Sequence, residues 1–331
     1  MTPEQLQELR VQLPAFADAG PGSELQKAFG RFYGIDFAAS RPELDYRLGT
    51  VPSGDYSLAV HCWLQPGATS NLLLVHGYFD HSGLFGKLIG YGLAHNCNVM
   101  IFDLPGHGLS SGEVAAIDDF ADYGRAIAAV LAAPGLPPDL PLWVMAQSTG
   151  CSALVELARQ QQWPFTAAVL LAPLLRPKGW RRGKVAHSLL RHFVDSIERK
   201  FAPNSSDPDF LSFLCQDPLQ SRRLSLRWMS ALRRWIAGLP RSDLGAGPVL
   251  IVQGDADQTV DWRYNLGVYK TLFPGSQVTM LPGAGHQLAN ESTLIRQTYL
   301  ETVGHYLCNR GLFVATADPA ARPEPQPETN R

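Results

Sequence analysis

A serine between small residues, placed where an apolar run meets a helical pattern, is the first position in this sequence that suggests chemistry. Ser148 lies in AQSTG (146–150), after the predicted strand PLWVMAQ (141–147) and before STGCSALVELARQ. In a strand-to-helix turn this tight, large side chains two residues before and after the serine would collide, and the strained backbone lifts Oγ clear of the sheet. Ala146 and Gly150 are both small, so Ser148 is a candidate nucleophile.

A serine hydroxyl is a weak nucleophile near neutral pH, so it needs a base to take its proton and an acid to orient that base. Two later loops carry residues of these types. The loop DADQTV (255–260) follows the strand PVLIVQG and contains Asp255 and Asp257, and the loop PGAGH (282–286) follows the strand QVTML and ends at His286. Residue type alone leaves both aspartates open as the acid.

The elements that must position these loops alternate between short apolar runs and helical patterns. Several runs are apolar at consecutive positions, as in strands buried on both faces of a parallel sheet. Strands are predicted at 44–51, 58–64, 71–77, 98–104, 141–147, 166–173, 248–254 and 277–281. Helices are predicted at 84–96, 118–133, 149–161, 262–272 and 291–307. This alternation requires crossover connections and predicts an α/β fold, with a mostly parallel central sheet flanked by helices.

Four parts are expected along the chain. Residues 1–40 have a short amphipathic pattern and predict a helical segment, and residues 41–175 and 246–312 form the α/β core. Residues 176–245 show no good strand and predict an inserted helical cap. Its two apolar stripes are Leu190, Phe193, Val194 and Ile197, and Trp228, Leu232, Trp235 and Leu239. The Pro-rich tail, residues 313–331, is predicted to be disordered.

Four short segments together resemble the α/β-hydrolase superfamily, and within it the monoacylglycerol lipase and lysophospholipase-like serine hydrolases of the serine aminopeptidase-type branch. The segment HGYFDHSG (76–83) is similar to the HGxxxHSG segment of that family, and DLPGHGLS (103–110) is similar to its D-x-x-G-H-G-x-S turn. GDAD (254–257) and GH (285–286) stand at the places of its acid and base turns. The resemblance covers residues 40–310 or so, and it implies the α/β-hydrolase fold.

The resemblance also implies roles for individual residues. It assigns Ser148 as the nucleophile, His286 as the base and Asp257 as the acid, in the chain order serine, carboxylate, histidine. Asp255 is the rival acid, but it stands one position too early in the turn. By the same resemblance, the D-x-x-G-H-G-x-S turn is structural, and His107 in it is not catalytic.

Two backbone groups are implied to stabilise the negative charge that develops on the carbonyl oxygen of the substrate. They are the N–H of Tyr78, just past His-Gly, and the N–H of Thr149, just past the nucleophile. Preorganised donors of this kind contribute about 2.7–4 kcal/mol each to transition-state stabilisation.

The activity that the resemblance implies is hydrolysis of a carboxylic ester without a cofactor, with a monoacylglycerol or lysophospholipid as the expected substrate. A small-ester carboxylesterase, a thioesterase or an aminopeptidase would use the same triad, so these stay alternatives. A non-catalytic binding protein of the same fold is an alternative of another class. Dehalogenases and epoxide hydrolases of this fold need a carboxylate in place of Ser148, which speaks against both.

Charge and composition bear on partners and compartment. The formal net charge of −2 gives no reason to expect a nucleic acid partner. The five cysteines are scattered without C-x-x-C spacing, which favours reduced thiols. The start of the chain lacks a signal-peptide pattern and no apolar stretch is long enough to span a bilayer, so a cytoplasmic protein is expected. The oligomeric state is left open.

Three residues of reactive type are expected to be structural. Cys151 follows the nucleophile by three positions on a predicted helix, and no base is placed to activate it. His187 and His192 lie in the predicted cap without a second ligand at a metal spacing. We therefore predict no metal site.

The predicted cap is strongly basic. Residues 176–241 contain 14 Lys or Arg against 5 Asp or Glu, which is half of the 28 basic residues of the chain. This concentration favours a contact either with anionic lipid headgroups at a membrane surface or with the acidic core. Arg223, Arg227 and Arg234, near two tryptophans, are the candidates for a membrane-facing surface.

Overall fold

The computed structural model describes residues 1–199 and 201–313, and ten strands lie within them. They are β1 (Asp45–Ser53), β2 (Tyr56–Leu64), β3 (Ser70–Val75), β4 (Cys97–Phe102), β5 (Leu142–Gln147), β6 (Ala167–Leu171), β7 (Ser196–Glu198), β8 (Arg223–Ser225), β9 (Val249–Gly254) and β10 (Gln277–Leu281). Eight of them form one sheet in the order β1-β2-β4-β3-β5-β6-β9-β10. β2 is antiparallel to β1 and β4, and the other pairs of this sheet are parallel. The predicted mostly parallel sheet is confirmed.

Helices flank this sheet on both faces. Those in the described residues are α1 (Pro3–Gln12), α2 (Glu24–Tyr33), α3 (Phe37–Ser40), α4 (Gly86–Ala94), α5 (Ala121–Ala132), α6 (Thr149–Arg159), α7 (Trp180–Leu190), α8 (Pro208–Gln216), α9 (Leu226–Ala237), α10 (Trp262–Leu272) and α11 (Thr293–Cys308). The five helices predicted between and after the strands correspond to α4, α5, α6, α10 and α11.

The apolar runs form strands because both faces of the sheet are covered. Side chains alternate along β3, so Leu73 and Val75 join one hydrophobic cluster with residues of α5 and α6. Leu72 and Leu74 join a second cluster with residues of α4 and α11. Burying a side chain of this size contributes about 1.5–3 kcal/mol, so the two clusters hold the sheet in its register. The carboxyl ends of the parallel strands consequently share one edge, where the loops after β3, β5, β9 and β10 meet.

The segment between β6 and β9, residues 172–248, is called the insert here, and it includes the predicted cap. It contains α7, α8 and α9, but also β7 and β8, which pair antiparallel. The prediction of no strand in this region is therefore wrong. Trp180, Trp228 and Phe210 of the insert belong to the same hydrophobic clusters as the sheet, so the insert packs directly on the core.

One predicted stripe of the insert is an α-helical face. Trp228, Leu232 and Trp235 are buried along α9. Leu239 lies beyond the end of that helix at Ala237. The helix begins at the Ser225 N-cap, whose side chain accepts a hydrogen bond from Trp228 N.

The other predicted stripe is wrong. α7 ends at Leu190, Phe193 is 83% exposed, and Ile197 lies in β7 opposite Leu224. Four apolar residues at i, i+3, i+4 and i+7 cover only two helical turns. After Leu190 the chain forms a turn, and the extended backbone that β-branched residues such as Ile197 favour begins at Ser196.

The N-terminal segment contains α1, α2 and α3. Thr2 and Ser23 cap the first two helices, each with a reciprocal capping box. Leu6 and Leu9 are buried as the amphipathic pattern predicts, but Val11 of the same pattern is 76% exposed.

The last described residue, Phe313, is buried, and its ring stacks on that of His95 at 4.5 Å between centroids. The predicted disordered tail therefore does not begin at Phe313, and residues 314–331 lie outside the described part of the chain. Among residues 1–199 and 201–313, no helix has both the length and the apolar character needed to cross a bilayer.

Candidate active site

Ser148 stands at the junction of β5 and α6, where the backbone is strained. Its φ of 51° lies in the left-handed region, which serine seldom adopts. After this turn the start of α6 packs closely on β3, so a Cβ at Gly150 would clash with the carbonyl oxygen of Val75. Ala146 is fully buried in the core, so its methyl group is accommodated two residues before the serine. Ser148 itself is nearly buried, at 7% exposed.

His286 follows β10 and meets Ser148, which lies 138 residues earlier. Its Nε2 atom is 2.9 Å from Ser148 Oγ, and its Nδ1 atom is 2.7 Å from Asp257 Oδ2. When Nδ1–H donates to the carboxylate, the Nε2 lone pair faces the serine hydroxyl. The three side chains therefore form a continuous hydrogen-bonded chain along which the serine proton can pass to the histidine.

Asp257 is buried and held by its own turn. Its Oδ1 accepts hydrogen bonds from the backbone N–H groups of Thr259 at 2.8 Å and Val260 at 3.1 Å. Burial alone would raise the pKa of this carboxyl, but His286 and the two N–H groups outweigh burial and hold that pKa below its ordinary value. The carboxylate is therefore charged where it faces the histidine.

Asp255, the rival acid, is exposed and points elsewhere. Its Oδ1 accepts a hydrogen bond of 2.7 Å from the backbone N–H of Gly283. That bond ties the loop after β9 to the loop after β10. Of the two aspartates that residue type left open, Asp257 is the one in contact with His286.

The loop that carries His286 is held by residues that the sequence did not single out. The carbonyl oxygen of Asn204, in the insert, accepts hydrogen bonds from His286 N at 2.9 Å and Gln287 N at 2.8 Å. Gln147 Nε2 donates to the carbonyl oxygen of His286 at 2.8 Å, and the buried carboxylate of Glu291 also binds this loop. Gln147 adjoins Ser148 in the sequence, which is a signal for it, whereas Asn204 acts through its backbone and its side-chain type gives no signal.

The loop after β3 passes directly beside Ser148. A Cβ at Gly77 would lie 3.2 Å from Ser148 Cβ, so only glycine fits comfortably there. Asp80 folds the loop back by accepting a hydrogen bond of 3.2 Å from Gly77 N, and its other oxygen accepts one of 2.7 Å from Gln287 Nε2. Phe79 has a φ of 70°, a second strained position next to Ser148.

The backbone N–H groups of Tyr78 and Thr149 are the two donors that the sequence predicts for the substrate oxygen. Tyr78 follows Gly77 in the loop, and Thr149 is the first residue of α6. Across residues 1–199 and 201–313, neither of these N–H groups donates to another protein group. Both are therefore available to a substrate oxygen.

The D-x-x-G-H-G-x-S turn ties loops together beside the site. Asp103 Oδ1 accepts a hydrogen bond of 2.6 Å from Ser82 N, and its Oδ2 accepts one of 2.7 Å from Leu109 N. His107 bonds through Nδ1 to the carbonyl oxygen of Pro105 at 2.9 Å, and burial lowers its pKa to about 4. These contacts agree with the structural interpretation of this motif.

The other residues of reactive type are also engaged structurally. Cys151 is buried, its Sγ lies 3.2 Å from the carbonyl oxygen of Ala146, and burial raises the pKa of its thiol well above the ordinary value. His187 bonds to the carbonyl oxygen of Leu226 at 3.0 Å within the insert. In the described residues no group of three or more His, Cys, Asp or Glu is placed to hold a metal ion. The absence of a metal site and of a cofactor stays a prediction.

A mostly parallel sheet, with a strained serine at a strand-to-helix junction and a histidine beside it, defines the class of α/β-hydrolases. The sequence match agrees: residues 67–293 fit the family described as serine aminopeptidase, S33. The chain belongs to this family of α/β-hydrolases, and it is a serine ester hydrolase.

Curated relatives and solved structures share this fold. Mouse (Mus musculus) monoglyceride lipase is 26% identical over 268 residues, which are 75% of this chain and 86% of the lipase. Alpha/beta hydrolase domain-containing protein 17C of Bos taurus is 25% identical over 306 residues, 89% of this chain and 75% of that protein. A soluble variant of the monoglyceride lipase of Saccharomyces cerevisiae, solved with a substrate analog, superimposes with a TM-score of 0.67 at 18% identity, over 80% of this chain and 95% of that one.

Proposed function

We propose that this chain hydrolyses the ester bond of a single-chain lipid, a monoacylglycerol or a lysophospholipid, with Ser148, His286 and Asp257 as its catalytic triad. The observation that carries the proposal is the hydrogen-bonded chain of these side chains, at 2.9 Å and 2.7 Å. A serine, a histidine base and a buried carboxylate in this arrangement act as one unit in acyl transfer.

The proposed hydrolysis has two stages, and His286 transfers a proton in each. His286 Nε2 takes the proton of Ser148 as Oγ attacks the ester carbonyl carbon, and a tetrahedral intermediate forms. When that intermediate collapses, His286 returns the proton to the leaving alcohol and an acyl-enzyme remains. His286 then deprotonates a water molecule that attacks the acyl carbonyl, and the acid leaves as Ser148 regains its proton. Asp257 keeps the imidazole oriented and stabilises its charged form.

The charge on the carbonyl oxygen requires two fixed donors. The N–H groups of Tyr78 and Thr149 are proposed for this role because Tyr78 follows Gly77, which approaches Ser148, because Thr149 adjoins Ser148 in the chain, and because neither group donates to another group in the described residues. Removing one such donor costs about 10²–10³-fold in kcat in enzymes of this kind.

Two findings support a single-chain lipid as the substrate. Several relatives are named monoglyceride lipases, and one structural neighbour is described as holding a substrate analog.

We further propose that the insert touches an anionic membrane surface through α7 and the turn after it. The apolar side chains of Val185, Leu189 and Phe193 are well exposed there. Arg181 and Lys184 lie next to them and are exposed as well. Apolar side chains flanked by cations on one surface suit the interface of a bilayer with anionic lipids.

The three arginines expected to face the membrane are instead engaged within the molecule. Arg227 forms ion pairs with Glu113 at 2.7 Å and Asp118 at 2.9 Å, both outside the insert. Arg234 donates to the carbonyl oxygen of Asp118 at 2.5 Å, and Arg223 donates to Ser196 Oγ at 2.6 Å. Acidic residues outside the insert thus neutralise part of its positive charge. The membrane proposal therefore rests on α7 and the turn after it.

A panel of substrates tests the proposal. Rates are measured on monoacylglycerols and lysophospholipids of graded acyl length, on a short-chain ester, on a thioester and on an aminoacyl amide. We expect the long-chain lipid esters to have the highest kcat/KM and Ser148→Ala to abolish turnover. A higher kcat/KM on the thioester or the amide would favour those activities, and failure of a fluorophosphonate probe to label Ser148 would favour a binding protein.

A further inference from the structure

The insert contacts the loop after β3 at three of four successive residues. This loop, residues 78–81, is called the oxyanion loop here because it carries the Tyr78 N–H group. The insert contributes Trp228, Arg199 and Asp217 to these contacts.

Trp228 holds the side chain of Tyr78. The two rings are stacked with 3.8 Å between their centroids and 16° between their planes. The indole is itself fixed, because its Nε1–H donates to the hydroxyl of Tyr123 on α5 at 3.1 Å. The Tyr78 hydroxyl donates to the carbonyl oxygen of Ala115 at 2.7 Å. Tyr78 is thus clamped between the insert and the core.

Arg199 covers the next residue. Its guanidinium carbon lies 4.0 Å from the centroid of the Phe79 ring, and the guanidinium donates to Gln220 Oε1 at 2.7 Å. Phe79 is the strained residue with a φ of 70°, a conformation that persists only when its surroundings enforce it.

Asp217 holds the end of the loop. Its Oδ2 accepts a hydrogen bond of 2.8 Å from His81 Nε2, and its Oδ1 accepts one of 2.8 Å from Tyr33 on α2. The side chains of Asp217 and His81 are both almost completely buried. His81 Nδ1 accepts a hydrogen bond from Gly83 N at 3.2 Å, so the imidazole proton lies on Nε2, toward the carboxylate.

From these contacts we infer that the insert positions the oxyanion loop, with Trp228 and Asp217 as positioning residues for the Tyr78 N–H donor. The inference rests on the proposed function. The loop has no strand or helix of its own at residues 78–81, so its shape depends on what packs against it. A donor displaced by about 1 Å loses much of its effect on the transition state, since such a shift can cost about 10²-fold in rate.

A matched pair of substitutions on α9 tests the inference. Trp228→Leu removes the ring that stacks on Tyr78. Trp235→Leu removes an equally buried tryptophan that stacks on Phe120 and does not touch the oxyanion loop. On a short soluble ester we expect Trp228→Leu to lower kcat by about tenfold with KM within about twofold of the unchanged protein. Trp235→Leu should leave both constants within about twofold.

Three further variants separate positioning from loss of folding. Trp228→Phe keeps a ring to stack on Tyr78 and should recover most of kcat. Asp217→Ala should lower kcat as Trp228→Leu does, whereas Tyr33→Phe, which leaves the bond to His81 intact, should not. In both deficient variants a trifluoromethyl ketone, which mimics the tetrahedral intermediate, should bind more weakly in proportion to the loss in kcat/KM.

Two results would overturn the inference while leaving the proposed function intact, provided that Ser148→Ala is inactive. One is an equal loss of kcat in Trp228→Leu and Trp235→Leu. The other is a loss in Trp228→Leu that lies in KM alone. If Ser148→Ala itself retains turnover, the proposed function fails, and the role of the oxyanion loop fails with it.

Discussion

Glu291 Oε1 accepts a hydrogen bond of 2.7 Å from the backbone N–H of Gly285, the residue before His286. The other carboxylate oxygen accepts a hydrogen bond of 2.8 Å from the N–H of Ser206, in the insert, and a further bond from the Ser206 hydroxyl. Gly285 has no room for a side chain, since a Cβ there would lie 2.7 Å from the carbonyl oxygen of Asn204. One buried carboxylate therefore fastens the histidine loop to the insert.

Glu291→Gln should lower both stability and kcat. An amide has a single acceptor oxygen, so an NH2 group would face either Gly285 N–H or Ser206 N–H and leave a buried donor unpaired. Such a loss costs about 1–3 kcal/mol of unfolding free energy. Urea unfolding and kcat on a soluble ester measure the two effects. The exposed Glu301 provides the control, and equal behaviour of Glu291→Gln and Glu301→Gln would refute the prediction.

Asp257→Asn and Asp255→Asn should differ widely. An asparagine in place of Asp257 can donate to His286 Nδ1 and so favours the tautomer whose Nε2 cannot accept the serine proton; a change of this kind lowers kcat by about 10⁴-fold in a serine protease. The Asp255→Asn variant would keep an acceptor oxygen for Gly283 N–H, so little change in kcat is expected. Steady-state kinetics on one ester decide the matter, and the reverse order of effects would give the acid role to Asp255.

Unfolding should become easier as the pH falls below 6.5. Burial lowers the pKa of His61 to about 4, of His76 to about 3 and of His107 to about 4. An unfolded histidine has a pKa of about 6.5, so below that pH the unfolded chain binds protons that the native chain does not. Stability should fall by up to about 1.4 kcal/mol per pH unit for each histidine between pH 6.5 and 4.

His107→Asn isolates one of these three contributions. The amide NH2 of asparagine can replace the Nδ1 bond to Pro105 without a titrating group. Urea unfolding at a series of pH values should give a slope that is shallower by about one proton in this variant. Identical slopes for the variant and the unchanged protein would show that His107 does not titrate in this way.

Binding to vesicles should depend on α7 and not on α9. Leu189→Ser and Phe193→Ser together should weaken sedimentation with phosphatidylcholine vesicles that contain phosphatidylglycerol. Lys184→Gln should reduce the preference for the anionic lipid, by about 1 kcal/mol for the lost charge. Arg227→Gln is the control, because its charge is already paired with Glu113 and Asp118. Binding that does not change with Leu189 and Phe193 would rule out this surface.

The features that were predictable from the sequence are those that depend on local pattern. Consecutive apolar residues such as Leu72 to Val75 identify strands buried on both faces, and the small neighbours of Ser148 identify its turn. In the loops after two strands, Asp257 lies three residues after Gly254 and His286 directly follows Gly285, and the structure brings His286 to Ser148 and Asp257 to His286.

The remaining features depend on contacts between distant parts of the chain. Asn204 contributes a backbone oxygen, so its side-chain type carries no signal. Asp217 and Glu291 matter because of what folds against them, and no short motif marks either residue. The helix predicted for Leu190 to Ile197 is wrong because a short apolar spacing is compatible with both helix and strand.

The insert leaves the sheet at the end of β6 and returns at β9, and these two strands are neighbours that pair in parallel. The insert is therefore one long connection between two adjacent strands. The entropic cost of closing a connection grows only logarithmically with its length, by about 0.6 kcal/mol for each doubling. The sheet can thus tolerate a connection of this length at little cost. Because Trp180, Trp228 and Phe210 of this connection are buried in the same hydrophobic clusters as the sheet, a loosened insert would expose apolar surface of the core as well as release the loop after β3.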